Sequence, residues 1–125
     1  MVEFLGITVC AVGAGFICAR MPLTERTIQP HGIMHGGAFV TLAESLGSLA
    51  SALLVARTEG ARVAGVEVSG SHLRAVNAGV VTGICRPLRI GRTLHVWAID
   101  IRDADGRLCS SCRLTVSISQ PGGKA

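Results

Sequence analysis

Tyrosine is absent from this 125-residue chain, and its aromatic side chains are three phenylalanines and one tryptophan. So few stacking surfaces argue against a reader of single-stranded nucleic acid, because base stacking on aromatic rings supplies much of that affinity. Charge is sparse as well: charged residues make up 16% of the chain, the net charge is +4, and no block of like sign occurs. That spread positive balance suits a phosphate-bearing small molecule at least as well as a nucleic acid; with so few aromatic rings, no nucleic-acid partner is expected. No uninterrupted apolar run reaches the roughly 18 residues of a membrane span, since Glu44, Ser45 and Ser48 break the longest one. The opening Met1-Val2-Glu3-Phe4 carries no basic leader. Neither a signal peptide nor a membrane partner is expected, and the expected location is cytoplasmic. Zinc-ligand spacing is missing too: His31 and His35 are four apart, but Pro30, Gly32 and Gly36 oppose a helix there. Neither a metal nor another cofactor is expected.

Apolar residues are plentiful, at 49% with a mean hydropathy of +0.50. A single domain of this size buries one core, and so oily a surface points to cover by other subunits. The domain is expected over residues 1–119, followed by a flexible tail at 120–125. Five cysteines are an odd number, and Cys109-Ser110-Ser111-Cys112 reads as buried thiols on a strand.

Residues 4–20 mix β-branched side chains with Gly13 and Gly15, which predicts a strand, a glycine turn and a second strand leading to Arg20. Met21 to Ile28 is a connector. From Gly37 to about Arg57 helix formers dominate, and the run is apolar on almost every side, so all-round burial is expected. After Gly60 the period shortens to two. Strands are predicted at Arg62–Ala75, Val80–Ile90, Thr93–Arg102 and Arg107–Ser119, with turns at Asn77-Ala78-Gly79, Gly91 and Asp103-Ala104-Asp105-Gly106. One long helix followed by antiparallel strands reads as α+β, a curved antiparallel β-sheet wrapped around one buried helix.

The chemistry concentrates in Gln29 to Ser48, QPHGIMHGGAFVTLAESLGS. Pro30 and Gly32 favour a turn. Gly36 and Gly37 place unhindered amides where the helix begins, and a helix start favours an oxyanion or a polarised carbonyl. Glu44 is a lone carboxylate among Val40, Leu42, Ala43 and Leu46. Such an acid is either satisfied in a core or chemically employed, and the second reading is preferred.

The ordered set Gln29-Pro30-x-Gly32-x-x-His35-Gly36-Gly37-Ala38, Leu42-Ala43-Glu44-Ser45-x-Gly47-Ser48, Val63-x-Gly65-x-Glu67, His72-x-Arg74, Gly83-x-Cys85-x-Pro87-Leu88-x-x-Gly91-Arg92 and Asp105-Gly106-Arg107-Leu108-Cys109 resembles the hotdog-fold acyl-CoA thioesterases. Within them it is similar to the branch of the Arthrobacter-type 4-hydroxybenzoyl-CoA thioesterase, which also holds aryl-CoA and dihydroxynaphthoyl-CoA thioesterases. The resemblance spans about residues 4–119. It implies hydrolysis of an acyl-CoA thioester, with Glu44 as nucleophile or general base and the Gly36 N–H polarising the thioester carbonyl. Gln29 and His35 would assist near the carbonyl or leaving thiolate, and Ser48 would orient water. His72 and Arg74 match positions that meet the phosphates of coenzyme A. The branch resembled implies an aromatic or other bulky acyl group, while Phe39 and His31, near the acyl pocket, depart from the small and the apolar residue common in relatives and leave the acyl group open.

Gly36 and Glu44 are eight residues apart, roughly 12 Å along a helix, too far for one carbonyl to meet both in a single chain. Two helices related by a two-fold axis would bring Gly36 of one beside Glu44 of the other. A homodimer with shared sites is therefore expected, and the resemblance adds a dimer-of-dimers tetramer. The alternative, from another class, is a hotdog module that binds acyl-CoA without hydrolysing it.

Overall fold

The structure, a computed structural model, describes residues 1–121. Six strands and one helix follow in the order β1 (Thr8–Gly13), β2 (Phe16–Pro22), α1 (Gly36–Leu54), β3 (Arg62–His72), β4 (Val80–Ile90), β5 (Leu94–Arg102) and β6 (Leu108–Ser119). All pairings are antiparallel, in one sheet of order β1-β2-β4-β5-β6-β3. The α+β architecture expected from the sequence is the one the chain builds. Two hairpins follow their turn signals, with Gly15 at φ +80° between β1 and β2 and Gly106 at φ +81° between β5 and β6. At the second, Asp103 Oδ1 accepts from the Asp105 and Arg107 amides, and these bonds hold its carboxyl below the usual carboxylate range.

Two boundaries and the strand order differ from expectation. The helix stops at Leu54, where the Val55 N–H still reaches Ser51 O before the chain turns. β3 stops at His72 instead of Ala75, because the Leu73 and Arg74 amides both converge on Cys109 O and the ladder cannot advance. Strand β3 also leaves the consecutive run: it lies beyond β6 at the far edge, while β4 pairs with β2. The helix carries the chain across the sheet, so β3 enters on the opposite side. Of the expected tail, Gln120 donates from Nε2 to Arg92 O; residues 122–125 lie outside the described residues.

Alternation on the strands supplies the core. Ile17, Met21, Val81, Ile99, Leu114 and Val116 face Phe39, Leu42 and Leu46 of the helix. By length and composition α1 could cross a membrane, yet it packs against five of the six strands. Its burial is not all-round as expected. Ala38, Phe39, Leu42, Ala43, Leu46, Gly47, Ala50 and Ser51 form the buried face, while Val40, Glu44, Ser45, Ser48 and Leu49 remain half-buried. A six-stranded sheet covers only one side of a helix. The core also encloses a polar group: Trp97 Nε1–H donates to Ser51 Oγ at 2.8 Å, so the Ser51 hydroxyl donates to His95 Nδ1 at 2.8 Å. Burial lowers the His95 pKa and keeps that ring neutral.

Close packing has a measurable consequence at Gly47. Glycine in a helix interior costs about 1 kcal/mol against alanine, so Gly47→Ala would stabilise an isolated helix. Here a Cβ would stand 2.5 Å from Leu114 Cδ2, and Leu114 is fully buried. Overpacking of about 1–3 kcal/mol outweighs the propensity gain. Gly47→Ala is expected to lower the urea midpoint at unchanged m-value, by a net loss of about 1 kcal/mol.

Candidate active site

The loop before α1 is pinned from both sides. Thr27 is buried and its hydroxyl donates to Pro22 O; the His35 N–H donates to Thr27 O at 2.7 Å and the Met34 N–H to Val76 O at 2.7 Å. Between these ties Gln29 to Ile33 forms a tight turn with Gly32 at φ +85°, where the Gln29 side-chain oxygen accepts from the His31 amide. The start of the helix is therefore held in place.

His35 caps that helix, with Nδ1 accepting from the Gly37 N–H at 2.8 Å. That bond fixes the hydrogen of a neutral ring on Nε2, on the other side of the ring from the bond. The Ala38 N–H is taken by His35 O at 2.9 Å. Among the described residues this leaves the Gly36 N–H of the first turn without an acceptor. Gly37 must be bare, since a Cβ there would lie 2.9 Å from His35 Nδ1.

Beside this amide opens a cleft of about 320 Å3 whose wall includes Gln29, Met34, Gly36, Phe39, His72 and Arg74. The structure thus brings together residues from the loop, the helix start and the end of β3. The His72 ring lies against Gly36, 2.9 Å from where a Cβ would be, and its centroid is 5.3 Å from that of the buried Phe39 ring. His31 is exposed at the turn and is not part of this wall. Glu44 is not part of it either. Two turns further along, its half-buried carboxylate lies over Gly65 of β3, with Oε2 2.6 Å from a Cβ position that glycine leaves empty. Ser48 follows one turn later, half-buried. Within one subunit the free amide and the carboxylate stand apart, as helix spacing requires. A separate apolar cleft of about 260 Å3, between Phe16, Leu53, Pro87 and Trp97, sits near the other end of the helix and has no titratable group in its wall.

Residues 31–110 match the family model described as the thioesterase superfamily. The chain belongs to that family. It is 47% identical over 118 residues to the proofreading thioesterase EntH of Cronobacter sakazakii, covering 94% of this chain and 85% of that protein. Against the 1,4-dihydroxy-2-naphthoyl-CoA hydrolase of Escherichia coli it is 47% identical over 119 residues, with coverages of 94% and 85%. A crystal structure of a thioesterase from Haemophilus influenzae superposes with a TM-score of 0.90 at 44% identity, over 95% of this chain and 82% of that one. The chain is a hotdog-fold thioester hydrolase of the branch its motifs resemble.

Two contributors escaped sequence reasoning. Gly65 makes room for the Glu44 carboxylate, although the motif Val63-x-Gly65-x-Glu67 contains it without suggesting why. Ser110 touches His72, and its only sequence signal was its place between two thiols in Cys109-Ser110-Ser111-Cys112.

Proposed function

We propose that this thioesterase hydrolyses an acyl-CoA thioester carrying an aromatic or other bulky acyl group, releasing the free acid and coenzyme A. The observation that carries the reading is the unpaired Gly36 N–H at a helix start, opening on a cleft with Gln29, His72 and Arg74. A preset amide there stabilises the charge that develops on the thioester oxygen with little reorganisation. His35 offers its Nε2–H nearby, and Gln29 its side-chain amide. Glu44 supplies the attack, as base on a water held by Ser48 or as the nucleophile itself. In either route a hydroxyl is added to the acyl carbon and the thiolate leaves with a proton. His72 and Arg74 offer donors to oxygens of coenzyme A, and Phe39 with the loop at His31 borders the acyl group. The similarity to a 1,4-dihydroxy-2-naphthoyl-CoA hydrolase, whose substrate carries an aromatic acyl group, supports this reading.

The complete site takes one half from each of two subunits. The outer edge of β3, eleven residues long, pairs with no strand among the described residues. Open edges of that length invite strand addition, and a two-fold pairing there would bring the helices of two copies side by side. The half-buried flank of α1 would then be covered, and the homodimer would pair again into a tetramer. In this reading the enzyme is cytoplasmic, its one long apolar helix serving as a core.

Release of free thiol from benzoyl-, 1,4-dihydroxy-2-naphthoyl-, hexanoyl- and palmitoyl-CoA tests the proposal. The expected result is turnover of all reactive thioesters with the highest kcat/KM for the aryl substrates, about tenfold or more above the linear chains, the scale that pocket fit achieves. Binding of all four without thiol release would overturn it in favour of an acyl-CoA-binding module.

A further inference from the structure

His72 stands directly opposite Ser110 in the β3–β6 ladder, and Gly70 opposite Cys112. Strand alternation points all four positions to the helix side. His72 Nδ1 lies 2.9 Å from Ser110 Oγ, and Ser110 Oγ lies 3.3 Å from Cys112 Sγ. Ser110 is fully buried and Cys112 nearly so. The absence of a side chain at Gly70 is what admits the thiol, since a Cβ there would come within 2.8 Å of Sγ.

A hydroxyl has one hydrogen and two neighbours here, so the chain of bonds has two directions. In one, the thiol donates to Oγ, the hydroxyl donates to Nδ1, and the ring carries its hydrogen on Nε2. In the other, the ring donates from Nδ1 to Oγ and the hydroxyl donates to sulfur. The second spends the hydroxyl on a weak acceptor and leaves the thiol hydrogen without one. Burial raises the Cys112 pKa, with Asp100 adding to it and Ser110 opposing, so the group stays a thiol and a donor. The first direction satisfies every buried hydrogen.

Resting on the thioesterase reading, we infer that Ser110 is a positioning residue: it holds His72 as the Nε2–H tautomer, so that the ring donates to a substrate oxygen beside the Gly36 amide. The ring edge bearing Nε2 is the one against Gly36, with Nε2 and Cδ2 each 2.9 Å from its Cβ position. Two neighbouring donors thus line one wall of the cleft. The oxygen they meet is anionic or becomes so, either the thioester carbonyl or a phosphate oxygen of coenzyme A.

The test uses the full-length protein with Ser110→Ala, which removes only an oxygen, and Ser110→Thr, which keeps the hydroxyl. Nitrogen-15 NMR of the neutral His72 ring is expected to show a protonated Nε2 and an unprotonated Nδ1 in the parent and in Ser110→Thr, and a mixture of tautomers in Ser110→Ala. Kinetically, Ser110→Ala should lose about tenfold in kcat/KM, the scale of one hydrogen bond, and Ser110→Thr should recover most of it. Benzoyl-CoA and the benzoyl thioester of N-acetylcysteamine separate the two oxygens. Loss of kcat with both substrates places the ring at the carbonyl. A raised KM confined to benzoyl-CoA places it at a phosphate. An unchanged tautomer in Ser110→Ala, or a protonated Nδ1 in the parent, overturns the inference even if the parent is an active thioesterase. Absence of thiol release from the parent would instead count against the thioesterase reading and leave the tautomer measurement standing.

Discussion

Glu44→Gln is expected to reduce kcat about a thousandfold, within the range that a lost general base or nucleophile brings, with little change in Tm. The isosteric amide keeps the shape of the side chain. The half-buried carboxylate lies over Gly65 and is not a fully buried polar group left without a partner, so stability has little to lose. Thiol release from benzoyl-CoA beside a thermal melt measures both quantities. A folded Glu44→Gln with near-parental kcat would remove Glu44 from the chemistry. A mixing experiment extends the test to the shared site. Dimers pairing a Glu44→Gln subunit with a Gln29→Ala subunit carry both lesions in one site and neither in the other. Such mixed dimers should regain about half the parental rate, whereas sites confined to one subunit would stay impaired.

Gly65→Ala is the second large effect expected, a loss of about a hundredfold in kcat at nearly unchanged Tm. The added methyl would meet Glu44 Oε2 at 2.6 Å. That atom is the far end of a flexible side chain, so the carboxylate moves and the backbone does not. Displacement of a reacting group by an ångström costs on the order of a hundredfold in rate. Because both substitutions act on one group, Gly65→Ala added to Glu44→Gln should bring almost no further loss. Independent, multiplying losses would show that Gly65 matters for another reason, such as the local shape of β3 beside its bulge.

Much of this was legible along the chain. Period-two alternation marked β4, β5 and β6 to within a residue or two, because each strand has a buried and an open side. The Gly36-Gly37 step announced the helix start, since glycines leave the amides there unhindered, while the cap that His35 provides came to light in the structure. Helix length alone separated Gly36 from Glu44 and so called for a second subunit. Where β3 ended was less legible: two amides competing for Cys109 O stopped the ladder at His72, and a local pattern holds no trace of such a rivalry.

The sequence by itself determined the elements, the polar residues of the cleft and the family, because periodicity, glycine steps and ordered motifs are properties of neighbours in the chain. Only the tertiary structure decided that β3 crosses to the edge beyond β6, that Gly65 clears a place for a carboxylate 21 positions earlier, and that Ser110 stands behind His72. Those are contacts across the sheet, set by which strands the helix bridges. Register across a ladder follows from the packing of the whole core, and no short stretch of residues carries it.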